Sequence, residues 1–78
     1  MNMILVDIPM GRNIQSIRID KNMTQAEVVA QMQLMGSNMS RSTLANIETG
    51  RRNIKASDLR LLKKIYNVDY EEFFREQR

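Results

Sequence analysis

Apolar residues recur along this chain in steps of three and four, in blocks separated by polar punctuation. Met10, Ile14 and Ile17 form the first block, and their spacing predicts a helix from Pro9 to about Lys21. Pro9 suits a first helical turn, where its missing N–H would have no partner anyway. Asn22 tolerates left-handed backbone and so ends that helix. The second block is Val28, Val29, Met32 and Met35. Ahead of it stands Thr24-x-x-Glu27, a pair whose side chains satisfy each other's free N–H groups at a helix start. Met23 and Val28 are spaced as a hydrophobic staple across that start, and Gly36 is a stop. The third block repeats the scheme: Ser40 as N-cap, Met39 and Leu44 as staple, Leu44 and Ile47 as the inward stripe, and an end near Gly50. The fourth runs from Lys55 to Tyr66 with Leu59, Leu62 and Tyr66 on one side. After a break at Asn67-Val68-Asp69, the pattern predicts a last helix over about 69–77, carrying Tyr70, Phe73 and Phe74. The apolar run Met3 to Val6 makes residues 1–8 an N-terminal arm or a short strand. The whole reads as an all-α domain of five helices spanning 9–78, with short connections.

Composition narrows what such a domain does. At 78 residues the chain holds one small core. It has no Cys and no His, which removes disulfides, thiolate metal sites, imidazole bases and His-paired nucleophiles. The carboxylates are scattered, and there is no Gly-rich phosphate loop. An enzyme is therefore not expected, and neither is a cofactor, a metal or a small-molecule ligand. Seven Met residues read as adaptable core filler. No apolar run approaches the ~20 residues of a membrane span, so a cytoplasmic protein with no membrane partner is expected.

Charge changes the picture more through its distribution than its sum. The formal net charge is +3. Arg41, Arg51, Arg52, Lys55, Arg60, Lys63 and Lys64 face only Glu48 and Asp58 across residues 41–64, whereas residues 69–78 hold an acidic excess. That asymmetry suggests a positive face and a C-terminal segment turned elsewhere. The start of the second helix, Thr24-Gln25, presents free N–H groups that suit a phosphate oxygen, to which Gln25 can also donate. On the third helix Leu44 and Ile47 face inward, leaving Ser42, Ala45, Asn46 and Thr49 outward with Arg41 and Thr43 at the N-terminal end. Arg41 has the donor pair for a guanine edge, and Asn46 the donor and acceptor for an adenine edge. Ser42 and Thr43 serve either a base or a phosphate. The same face equally describes a solvated surface helix.

Ile14 and Arg18, Thr24-Gln25 with Glu27, Ser40-Arg41-Ser42-Thr43-Leu44, Ile47-Glu48-Thr49-Gly50-Arg51-Arg52, then Leu59, Leu62, Val68 and Phe73 together resemble the Cro/CI-type (XRE) helix-turn-helix family of DNA-binding regulators. The resemblance covers Gly11 to Phe74. It implies a five-helix, lambda-repressor-like domain with the helix-turn-helix at the second and third helices. It implies double-stranded DNA as the partner, with the helix 40–49 in the major groove. Base contacts then fall to Arg41, Ser42 and Asn46, and phosphate contacts to Gln25, Thr43, Arg51, Arg52 and Asn53, with Lys55 at the edge of that set. The family pattern makes Arg18 and Glu48 a partly buried structural ion pair, and Tyr66 and Phe73 core residues. Tyr70 and Phe74 are surplus to that core and fit a homodimer interface, where aromatic residues are enriched.

The chain departs from the family pattern in three places. The interval from Thr24 to Ser40 is longer than usual, with the excess between Gln31 and Asn38, which leaves the orientation of the third helix open. Val29 stands where a small residue is usual. Lys63 stands where Ala is usual and has to lift its ammonium out along the surface. The expected function is sequence-specific DNA binding by a transcriptional regulator, most simply a repressor. The alternative is a protein-interaction or antitoxin-like module on the same fold that uses the aromatic C-terminal helix.

Overall fold

The computed structural model describes residues 8–76, so the arm or strand expected over 1–8 lies, except for Ile8, outside the described residues. Four α-helices follow one another: α1 Met10–Asp20, α2 Gln25–Leu34, α3 Arg41–Glu48 and α4 Ala56–Tyr66. The fifth predicted helix is not one. Residues Tyr70–Phe74 form a single 3₁₀ turn, and Arg75 is already extended. The cause lies sixty residues upstream. The Asn13 side-chain amide donates to the carbonyl oxygens of Phe73 (2.9 Å) and Arg75 (2.7 Å), which takes up acceptors a continuing helix would use. The Asp69 side chain also makes no cap bond that would favour an α-helical start.

Local chemistry fixes the helix ends much as their sequences suggest. The Thr24–Glu27 capping box closes in both directions, Glu27 N–H to Thr24 Oγ1 and Thr24 N–H to Glu27 Oε1. Ser40 Oγ accepts from the Thr43 N–H at the start of α3. The first three helices end in the same two-bond closure, in which a residue with positive φ lets the chain double back onto the last turn. Asn22 (φ 57°) does this for α1, Gly36 (φ 96°) for α2 and Gly50 (φ 82°) for α3. In α2 the bonds run from Gly36 N–H to Gln33 O and from Ser37 N–H to Met32 O.

α1 packs on α3 and on the 3₁₀ turn, and α2 packs on α3 and α4. Ile14, Val28, Met32, Leu44, Leu62 and Phe73 are fully buried between them. At about 1.5–3 kcal/mol per buried aliphatic or aromatic side chain, this cluster is what holds the short helices together. The α1–α3 contact is close enough to require glycine: a Cβ on Gly11 would collide with the Ile47 carbonyl oxygen. Val29 is buried at its unusual position. The lengthened α2–α3 connection is tied down at three points. Gln33 Nε2 donates to Met39 O, Met39 N–H donates to Ser37 Oγ, and Ser37 Oγ donates to the buried Asp58 on α4 (2.9 Å). These bonds, together with the burial of Met39, settle the orientation with which the chain enters α3.

Candidate nucleic-acid interface

α3 offers a buried side and an open side. Leu44, Ile47 and Glu48 face in. Arg41, Ser42 and Thr49 are exposed, and Ala45 and Asn46 are half-buried at the margin. This brings the three expected base readers, Arg41, Ser42 and Asn46, onto one short helix. Thr49 contributes less than its position suggests, because its hydroxyl donates back to the carbonyls of Ala45 and Asn46. Ser40 Oγ lies 2.8 Å from Thr43 Oγ1 and 3.2 Å from Ser42 Oγ, so the first turn of α3 carries a cluster of three hydroxyls. Thr43 is half-buried within it.

The first turn of α3 also breaks a local rule. A helix N-terminus carries partial positive charge and favours Asp or Glu in its first turn. α3 has no acid there and opens on Arg41. An anion placed against this end relieves the conflict, and such violations concentrate at functional sites.

Behind α3 the chain reverses at Gly50. Gly50 N–H donates to Ile47 O, and Arg51 and Arg52 N–H both donate to Asn46 O. The closure sets Arg51, Arg52 and Asn53, all exposed, at the helix C-terminus, where cations are favoured in any case. The backbone bonds shared with Asn46 tie this basic loop directly to one of the expected base readers.

Gln25 has a partner that its sequence did not announce. Its Nε2 donates to Glu48 Oε1 at 2.9 Å. Glu48 is almost fully enclosed and takes two further bonds from Arg18, Nε to Oε2 (2.7 Å) and Nη2 to Oε1 (3.0 Å). The third arm of the guanidinium, Nη1, donates to Met23 O. The hydrogen bond to Glu48 and its charge raise the Arg18 pKa above its ordinary value, against an opposing effect of burial. The network joins the end of α1, the start of α2 and the end of α3. With its amide turned to Glu48, Gln25 keeps a backbone N–H for a phosphate. That N–H and the one of Ala26 lie in the first turn of α2, which leaves its opening N–H groups without helical acceptors.

Tyr66 lies beneath the ion pair, buried, and its hydroxyl has no hydrogen-bond partner among the described residues. Burial raises its pKa far above the ordinary value, the Glu48 charge adds to this, and Arg18 opposes it. Lys63 does lift its ammonium outward, to 5.2 Å from the Tyr70 ring centroid.

The sequence reading missed three positions that fix the fold around this site: Gly11 against α3, Asp58 at the α2–α3 connection and Asn13 at the C-terminal turn. Two carried a signal. Asn13 falls on the Met10–Ile14–Ile17 stripe, where a polar residue needs a buried partner. A glycine in the first turn of a helix suggests close backbone approach.

The sequence profile of the helix-turn-helix family matches residues 14–73, well over half of the chain, and its span includes α2, α3, the basic loop and the Arg18–Glu48 pair. The chain belongs to the Cro/CI-type (XRE) helix-turn-helix family. No curated protein and no solved structure shows significant similarity to it. Membership makes the domain a DNA-binding helix-turn-helix of a regulatory family. No helix among the described residues is long and apolar enough to cross a membrane.

Proposed function

We propose that this XRE-family chain is a sequence-specific repressor that reads double-stranded DNA by laying α3 in the major groove. The observation that supports the reading is that two features suited to phosphate are bonded to the C-terminal half of α3, one through Gln25 and Glu48 and the other through the Asn46 carbonyl. One is the first turn of α2 with its free N–H groups. The other is the loop of Arg51, Arg52 and Asn53. A major groove admits one α-helix, and residues near its N-terminus reach the base edges. Arg41, Ser42 and Asn46 take the base contacts. Gln25 through its backbone N–H, Thr43, Arg51, Arg52 and Asn53 take the phosphates. Occupying an operator blocks polymerase. A homodimer joined through Tyr70 and Phe74 would place two such helices on half-sites about one DNA turn (~34 Å) apart.

Selection from random duplex DNA, followed by affinity measurement against salt, tests this. An enriched sequence with twofold symmetry is expected. Arg41→Ala should relax one base preference by about 1–3 kcal/mol. Arg51→Ala should weaken all sequences alike and reduce the salt slope by about one. Absence of any enriched sequence, with affinity insensitive to salt, overturns the reading.

A further inference from the structure

Arg60 and Lys64 are two basic residues that the DNA reading leaves unused. Both are exposed on α4 and line a groove between that helix and the α2–α3 connection, together with Met35, Ser37, Lys55 and Leu61. Lys55, Arg60 and Lys64 form no ion pair among the described residues. The one acid in the groove, Asp58, is buried and accepts a hydrogen bond from Ser37, so the rim is positive. The groove is also partly apolar: Met35, 42% exposed, and the half-buried Leu61 line it.

The 3₁₀ turn at the other end of α4 has the opposite chemistry. Tyr70 is 40% exposed and Phe74 43%. Asp69 and Glu71 are exposed and make no ion pair among the described residues, while Glu72 pairs with Arg75. An acidic, aromatic projection and a basic, partly apolar groove of similar mixed character thus sit on one small molecule.

The turn cannot fill its own groove. Phe73 is fully buried, and Asn13 holds the carbonyls on either side of Phe74, those of Phe73 and Arg75. A second copy has no such restriction. The two surfaces also lie side by side. At about 100° per residue, Arg60 and Lys64 project about 40° apart on α4, and Lys63 about 60° from Arg60 on the side away from Lys64. Lys63 carries Tyr70 against its ammonium. The acidic turn therefore borders the α4 flank next to the basic face. Such adjacency lets a pair close on a twofold axis, each copy giving its turn and receiving the other's.

We propose that two copies of this chain pair by seating the Asp69–Phe74 turn of each in the Lys55–Arg60–Lys64 groove of the other. This deepens the homodimer part of the functional reading and rests on it. The acids meet the cations, and Tyr70 and Phe74 cover Met35 and Leu61.

Sedimentation equilibrium of the full chain tests the pairing with two charge-reversed variants, Arg60→Glu/Lys64→Glu and Asp69→Lys/Glu71→Lys. Melting curves by circular dichroism confirm that each is folded. The wild-type chain should dimerise, and more weakly as added salt shortens the screening length from about 30 to about 3 Å. Each variant alone should self-associate at least about tenfold more weakly, because like charges then meet across the interface. An equimolar mixture should recover association, since each variant then finds its complement. A wild-type chain that stays monomeric, a variant that dimerises as the wild type does, or a mixture that fails to recover overturns the proposal. A dimer that forms through this contact, from a chain that binds no half-site duplex, leaves the pairing standing and sinks the DNA reading instead.

Discussion

Replacing Arg18 by Met should destabilise the domain severely, and replacing Glu48 as well should restore part of the loss. Arg18 makes three hydrogen bonds, two to Glu48 and one to the Met23 carbonyl. The Glu48 side chain is only 1% exposed and Arg18's 12%. Arg18→Met keeps the aliphatic stem but leaves a buried carboxylate with a single neutral donor, Gln25. Removing one partner of a buried pair costs about 3–5 kcal/mol, because the remaining charge is neither solvated nor compensated. A domain of this length holds only about 4–12 kcal/mol in total. The single variant should therefore melt well below the wild type, at about 4–8 °C per kcal/mol lost. Arg18→Met/Glu48→Met removes the stranded charge, and buried pairs exchanged for apolar residues of similar volume are often neutral. Urea unfolding of the wild type, both single variants and the double variant gives the coupling energy directly. The reasoning fails if Arg18→Met costs under about 1 kcal/mol, or if the double variant loses the sum of the two singles.

The remaining predictions concern positions around the same frame. Gly11→Ala should cost about 1–3 kcal/mol by thermal unfolding despite the better helix propensity of Ala, because the obstacle is the Ile47 backbone carbonyl rather than a movable side chain. Asn13→Ala should cost about 1–3 kcal/mol by leaving the buried Phe73 carbonyl without its donor. Limited proteolysis should then cut first after the 3₁₀ turn. Tyr66→Phe should be neutral or stabilising in urea unfolding, since the hydroxyl it removes is buried without a partner. Glu27 has its pKa lowered by the Thr24 backbone N–H and then by the Thr24 hydroxyl. A group with a depressed folded pKa adds stability above its unfolded value and loses it as pH falls through the folded one. Urea midpoints of Glu27→Gln should therefore depend less on pH than wild type in the acid range.

What the sequence disclosed was the chemistry that acts over four residues or fewer. The capping box at Thr24, the Ser40 cap and the stops at Asn22, Gly36 and Gly50 are all decided by neighbours along the chain. The structure places them where pattern and composition did. What stayed hidden was set by partners far away in sequence. The C-terminal helix was expected from the spacing of Tyr70, Phe73 and Phe74, which suits an α-helix. Asn13, on α1, ends it by claiming the carbonyls of Phe73 and Arg75. The lengthened α2–α3 connection looked free to reorient α3, and the buried Asp58 on α4 removes that freedom through Ser37. Arg18 and Glu48 were legible only through family resemblance, since nothing local tells a buried pair from two surface charges.

Gln25 shows why the candidate site resists reading by one residue at a time. As a polar residue in the first turn of a helix, it reads as a phosphate donor. In the fold its amide closes the Arg18–Glu48 network, and Glu48 ends α3 two residues before the basic loop. The start of α2 and the end of α3 are thereby fixed to each other through one buried carboxylate. Those are the two places where the phosphates are proposed to bind. A shift of either relative to the other would strain the Gln25–Glu48 bond, and charge-assisted bonds are about twice as strong as neutral ones. The side chain thus holds in place the backbone N–H that is proposed to take a phosphate. Its conservative replacement is informative for that reason. Gln25→Glu would set a second carboxylate against Glu48 and repel phosphate as well. Gln25→Met removes only the bond to Glu48, so any loss of DNA affinity in that variant measures positioning alone.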